Sequence, residues 1–165
     1  MELSEGDLAA LARRLGSALK AASLTIATAE SCTGGWVAKV ITDIEGSSGW
    51  FDRGFVTYTN EAKQEMLGVS AETLATHGAV SEATVKEMAQ GALQHSHADI
   101  SLAISGIAGP GGGTVYKPVG TVCLAWASRD NWHLSRQEIF AGDRHAVRMQ
   151  AVFAAIQCVL QKISG

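Results

Sequence analysis

Apolar residues open the chain at helical spacing. Leu8, Leu11, Leu15, Ala18 and Leu19 fall on one face and predict an amphipathic helix over about residues 4–22. The pattern then tightens into a short apolar run at 24–28, the mark of a buried strand, and 33–41 returns to a helical pattern. A second strand is predicted at 55–58. Asn60 is placed as the N-cap of a short helix through Met66, and Ser70 as the cap of another. Ser81 opens a longer helix running to about His95. Residues 99–105 form an apolar third strand. The stretches 119–127 and 132–140 predict two more strands. The short polar link between them, Ser128-Arg129-Asp130-Asn131, makes the pair an antiparallel hairpin. Asp143 caps a closing helix whose apolar face carries Val147, Ala151, Ala154, Ala155 and Val159.

Helices alternate with the first three strands, and a hairpin follows. This order predicts a three-layer α/β/α fold around a mostly parallel mixed sheet of about five strands, one of them antiparallel. No linker, repeat or low-complexity stretch interrupts it, so residues 1–165 are read as a single domain. With 47% hydrophobic and 18% charged residues, the chain lies far from the disordered class.

Charge and cysteine content narrow the function classes. A formal net charge of −3 argues against nucleic acid as a partner, yet leaves room for a small phosphate ligand in a local nest. The three cysteines, Cys32, Cys123 and Cys158, form no paired spacing, which argues against a disulfide framework and suits a reducing cytoplasm. The five histidines show no metal-ligand pattern, so no metal is expected. No apolar run approaches the length of a membrane span, and the first residues lack a signal-peptide pattern. A cytoplasmic location without a membrane partner is the expectation.

Three segments rich in small and polar residues each follow a predicted strand: 28–35, 58–63 and 105–110. If the three strands are parallel, all three segments leave one edge of the sheet, where ligands of open α/β sheets bind. Ser31 sits at a strand-to-helix turn. Its hydroxyl is either the cap of the next helix or a nucleophile facing N–H groups of Thr33, Gly34 and Gly35 that could form an oxyanion hole. Cys32 is the rival nucleophile, and its alternative is a small buried hydrophobe. A serine needs a base, and no histidine lies in these segments. Lys63 can serve if burial lowers its pKa, with Tyr58 bridging or orienting it; otherwise both are ordinary surface side chains. The loop at 106–113 contains five glycines and offers N–H groups to a phosphate, or is simply a surface connection. Arg144 and Arg148, four apart, share a face at the start of the last helix, where they either meet a phosphate or remain solvated.

Together these segments resemble a known family. Thr28-Ala29-Glu30-Ser31-Cys32-Thr33-Gly34-Gly35 resembles the opening signature of the CinA C-terminal domain family. Val56-Thr57-Tyr58-Thr59-Asn60-Glu61-Ala62-Lys63 is similar to its second motif. Ser105-Gly106-Ile107-Ala108-Gly109-Pro110, continuing through Gly112-Gly113 to Lys117-Pro118-Val119-Gly120-Thr121-Val122, is similar to its glycine-rich segment, and Gly142-Asp143-Arg144 to its last motif. The resemblance implies an amidase that converts nicotinamide mononucleotide to nicotinate mononucleotide and ammonia, returning the product to NAD synthesis. It implies a serine nucleophile at Ser31 with a lysine at Lys63 and a tyrosine at Tyr58. On the matched segments the expected substrate-binding set is Thr33, Gly34, Gly35, Asn60, Ser105, Gly106, Ala108, Gly109 and Arg144. No cofactor is implied, because the pyridine nucleotide is itself the substrate, and a homodimer is the expected assembly. Many members carry an additional N-terminal domain, whose role is not transferred. The alternative is a non-catalytic nucleotide-binding module, with the glycine-rich loop as the site and Ser31 as a cap.

Overall fold

A computed structural model describes residues 2–165. In chain order the elements are α1 (Glu5–Ala22), β1 (Ile26–Glu30), α2 (Trp36–Thr42), a single 3-10 turn (Ser47–Gly49), β2 (Phe51–Val56), α3 (Asn60–Leu67), α4 (Ala71–His77), α5 (Glu82–Gln94), β3 (Ile100–Gly106), β4 (Thr121–Ser128), β5 (His133–Ile139) and α6 (Arg144–Ser164). The five strands make one sheet in the order β2-β1-β3-β4-β5. β1 is parallel to both β2 and β3, whereas β3–β4 and β4–β5 are antiparallel pairs. β4 alone therefore runs against the rest, and the fold is the mixed α/β sheet that the order of elements predicts.

Alternation along the central strands sorts large from small side chains. Leu102, Ile104, Val122, Leu124 and Trp126 pack with residues of α1, α2 and α6. Ala103, Cys123, Ala125 and Ala127 face the layer built from α3, α4 and α5. The period of two along a strand puts these sets on opposite faces. Polar groups tie each layer to the sheet. Trp126 Nε1 donates to the Ala155 carbonyl of α6 at 2.9 Å, and Ser101 Oγ donates to the Ala89 carbonyl of α5 at 2.7 Å.

Local boundaries differ from the pattern in instructive ways. The second strand is Phe51–Val56 rather than 55–58. It is an edge strand, so Asp52, Arg53 and Gly54 sit in it without disrupting a core, and they mask its apolar signal. The first strand starts and ends two residues later than predicted. The N-cap of α3 is Thr59, whose Oγ1 accepts from Ala62 N at 3.0 Å, and Asn60 is instead the first helical residue. α2 starts at Trp36 rather than near residue 33. Its cap is Gly35 at φ 101°, a left-handed conformation that glycine adopts without strain. Ser31 is thus not a helix cap.

The small-residue face has a consequence for stability. A Cβ at Gly91 of α5 would collide with the Leu67 carbonyl at the end of α3. Gly91→Ala gains about 1 kcal/mol of helix propensity but forces backbone apart, at about 1–3 kcal/mol or more. The expected outcome is a net loss of stability, read as a melting temperature lowered by several degrees; an unchanged or raised melting point would show that α3 and α5 separate freely.

Candidate active site

The carboxyl ends of β1, β2 and β3 reach the same edge of the sheet. Glu30, the last residue of β1, is 1% exposed. Its Oε1 accepts from Thr33 Oγ1 at 2.7 Å and Val37 N at 2.8 Å, and its Oε2 accepts from Ala38 N at 3.1 Å. The Gly35 N–H also bears on this carboxylate. Burial pushes the Glu30 carboxyl up, and the hydrogen bonds from Thr33 and the α2 backbone oppose that shift. The acceptor that meets the N–H groups at the start of α2 is therefore a side chain of the protein itself. The sequence reasoning gave Glu30 no role. The signal was a carboxylate inside an otherwise apolar strand directly before a helix.

Glu30 sets the turn that carries Ser31. The chain leaves β1 with Ser31 N–H donating to Ile104 O at 3.0 Å, and Gly34 N–H returns to Ser31 O at 3.0 Å. Ser31 Oγ then meets Lys63. The Lys63 Nζ lies 3.1 Å from Ser31 Oγ, 3.2 Å from Thr57 O and 3.2 Å from Tyr58 O. Lys63 is 1% exposed, and none of these three partners is a carboxylate. Desolvation lowers its pKa from the ordinary lysine value. A neutral amine keeps two N–H donors and one lone pair. Here Nζ has three acceptors within reach, Ser31 Oγ and the two carbonyls, and the Ser31 hydroxyl itself donates to Tyr58 O at 3.4 Å.

Lysine and serine are brought together as the sequence expects, but Tyr58 takes a different part. Its backbone carbonyl, not its phenol, holds the amine. The ring is 60% exposed, and its hydroxyl accepts from Arg144 Nη2 at 3.2 Å. A proton relay through the phenol is therefore not the arrangement present. Thr57, which the sequence reasoning passed over, contributes a carbonyl of equal rank. Backbone acceptors carry no sequence signal of their own. Cys32 is buried in the α1–α2–α6 core cluster, and burial pushes its thiol up to about 11. A thiol held protonated is a poor nucleophile.

Backbone donors beside Ser31 divide into used and free. Gly34 N–H goes to Ser31 O, Trp36 N–H goes to Thr33 O, and Gly35 N–H bears on Glu30. Gly34 and Gly35 thus shape the turn through positive φ but do not supply free donors. The Thr33 N–H has no hydrogen-bond partner among the described residues, and the Cys32 N–H bears only on its own thiol. The donors beside Ser31 that no other residue takes are therefore those of Cys32 and Thr33, where the sequence expected 33–35. Arg148, reaching over from α6, donates from Nε to Cys32 O at 3.0 Å and from Nη2 to Thr33 O at 3.2 Å. Its guanidinium carbon lies 5.4 Å from the centroid of the Trp36 ring.

The remaining expected residues surround this turn. Arg144 donates from Nη1 to Gly109 O at 2.7 Å as well as to Tyr58, so it links the glycine-rich loop, the 57–59 segment and the start of α6. Ser105 and Ala108 are buried, and Gly106 has no room for a side chain against Val122. Asn60 is exposed on the first turn of α3. A cleft of about 700 Å³ is lined by Thr33, Gly34, Gly35, Trp36, His145 and Arg148. Another of about 670 Å³ is lined by Ala108, Pro110, Val119, Arg144, His145 and Arg148. Among the described residues no group of three or more His, Cys, Asp and Glu could hold a metal ion. No helix there is long and apolar enough to cross a membrane.

Comparison with known proteins identifies the family. Residues 8–163 match the family model described as the CinA C-terminal domain. The chain is 58% identical over 160 residues to the nicotinamide-nucleotide amidohydrolase PncC of Escherichia coli (strain K12), covering 97% of each. It is 53% identical to the protein of the same name from Enterobacter agglomerans, covering 97% of this chain and 98% of that one. Among solved structures, the competence/damage inducible protein CihA from Agrobacterium tumefaciens superposes with a TM-score of 0.93 at 44% identity, covering 100% of this chain and 99% of that one. A CinA superfamily protein from Klebsiella pneumoniae gives 0.91 at 43% identity, covering 95% and 98%. With its fold, its motifs and nearly its whole length matched, the chain belongs to the CinA C-terminal domain family.

Proposed function

We propose that this chain is an amidohydrolase that converts nicotinamide mononucleotide to nicotinate mononucleotide and ammonia through a Ser31 acyl-enzyme, returning pyridine nucleotide to NAD synthesis. The observation that carries the reading is the 3.1 Å contact between Lys63 Nζ and Ser31 Oγ, in a chain 58% identical to a named nicotinamide-nucleotide amidohydrolase. Neutral Lys63 takes the hydroxyl proton as Ser31 Oγ attacks the carboxamide carbon. The carbonyl oxygen gains negative charge and is received by the N–H groups of Cys32 and Thr33. The Lys63 ammonium returns its proton to the departing nitrogen, and ammonia leaves. Water, deprotonated by the same amine, then cleaves the ester and frees the carboxylate. Neither metal nor cofactor enters the sequence of steps. The site works in the cytoplasm, within one domain formed by residues 1–165.

Arg144 and the loop at 106–113 supply the phosphate end of the site. Arg144 already reaches the Gly109 carbonyl and the Tyr58 hydroxyl, so a phosphate arriving there meets a guanidinium oriented at the mouth of the site. The test is ammonia release from nicotinamide mononucleotide, nicotinamide riboside and free nicotinamide. The mononucleotide should turn over much faster than the other two, because remote phosphate binding is used at the reacting centre. No ammonia from the mononucleotide would refute the proposal.

Substitution separates the two adjacent nucleophile candidates. Ser31→Ala should lose activity by several orders of magnitude, up to about 10⁶ in kcat. Cys32→Ala should cost far less, because its thiol is buried and protonated. Equal losses in two folded proteins would contradict the assignment.

Lys63 generates a pH prediction. Its pKa is depressed by burial, so kcat/KM should rise with pH through an apparent pKa below that of free lysine, as the ammonium gives way to the amine. The sign for stability follows from the same shift. Below the depressed value the folded state carries a buried ammonium, so this group's contribution to stability increases with pH up to the ordinary lysine value and is complete above it. Lys63→Met should remove that increment and stay folded, yet abolish turnover. Lys63→Arg should abolish turnover too, since guanidinium does not release its proton in this range. Near-normal kcat in Lys63→Arg would show that the base lies elsewhere.

A further inference from the structure

We propose that Arg148 is a positioning residue that sets the peptide plane presenting the Thr33 N–H as an oxyanion donor, and that it does not bind substrate. The inference rests on the amidase reading. It assigns to Arg148 a task different from that of its helix neighbour Arg144.

Each free donor belongs to a rigid peptide unit, so fixing the carbonyl end of the unit fixes the N–H at the other end. The Cys32 N–H shares its peptide with Ser31 O, and Gly34 N–H pins that oxygen at 3.0 Å. The Thr33 N–H shares its peptide with Cys32 O, and Arg148 Nε pins that oxygen at 3.0 Å. Arg148 Nη2 also holds Thr33 O, the next carbonyl, at 3.2 Å. Trp36, the first residue of α2, packs on the guanidinium 5.4 Å away and keeps the fork from turning toward solvent.

Two consequences follow for the reaction. An oxyanion hole works because its donors are aimed before charge develops, and the Arg148 fork supplies that aim for Thr33. A charged donor on the carbonyl also polarises the peptide, which strengthens the N–H as a donor. Arginine alone spans both oxygens with a planar fork. Lysine keeps the charge but reaches as a single point. Arg148 is half-buried and Arg144 lies exposed at the start of α6, so a substrate phosphate has less claim on Arg148 than on Arg144.

The test uses the full chain with Arg148→Met, Arg148→Lys and, for comparison, Arg144→Met. Two readouts are taken: kcat and KM with nicotinamide mononucleotide, and amide hydrogen exchange over residues 32–36 in the ligand-free protein. Arg148→Met should lower kcat about 10- to 100-fold, less than the roughly 10²–10³ lost when an oxyanion donor is deleted outright, with KM changed by less than about threefold. Exchange at Thr33 should accelerate. Arg148→Lys should recover part of kcat, whereas Arg144→Met should act mainly on KM. A rise in KM at unchanged kcat in Arg148→Met would make it a substrate contact and overturn the proposal. So would unaltered exchange at Thr33, or equal losses in the Met and Lys variants with a collapsed melting point. If wild-type protein released no ammonia from the mononucleotide, the amidase reading would fail by itself. The exchange measurement would still decide whether Arg148 holds the turn.

Discussion

A lysine amine sits fully buried beside a serine hydroxyl with neutral oxygens as its hydrogen-bond partners. Burying an ammonium without a carboxylate partner is expensive. The group instead gives up its proton more readily than a free lysine does. Most of what surrounds the site can be understood as holding this amine in place and lowering its pKa. Thr57 and Tyr58 turn their carbonyls inward at the end of β2, and α3 begins at once, so that Lys63 reaches back one helical turn to them.

A second buried ionisable group lies close in the chain and is kept from pairing with the first. Glu30 makes no salt bridge to Lys63 among the described residues. Its oxygens are occupied instead by the Thr33 hydroxyl and the opening N–H groups of α2. Glu30 thus gathers donors on one side of Ser31, while Lys63 gathers acceptors on the other. Arg148 completes the frame by taking the carbonyls of Cys32 and Thr33. The turn from β1 to α2 is held through its side chains, its carbonyls and its N–H groups, and among the described residues the Cys32 and Thr33 donors are taken by no other residue.

Much of this was legible in the chain. Hydrophobic period separates helices from strands, because apolar burial dictates periodicity locally. The short polar link marks the last two strands as an antiparallel hairpin. Parallel pairing of the first three, which the structure supplies, puts three polar segments on one sheet edge. The motifs at 28–35, 58–63, 105–110 and 142–144 single out Ser31 and Lys63, and the structure brings these two into contact. The edge strand β2 escaped the pattern because half of it faces solvent, where polar residues are free to enter. The cap of α3 was misplaced by one residue, since Thr59 and Asn60 are both good capping types and only backbone geometry chooses between them.

What the sequence by itself determined is the set of elements, their order and the chemical identity of the serine and lysine, all of which follow from local pattern and motif. Tertiary structure decided how the groups between those residues are used. Tyr58 contributes a carbonyl while its phenol turns to Arg144, Glu30 caps a helix, and Arg148 crosses from the last helix to hold a turn more than a hundred residues earlier. The physical reason is that backbone donors and acceptors are the same at every position. Which of them are spent and which remain free depends on neighbours distant in sequence, and that accounting closes only when the chain has folded.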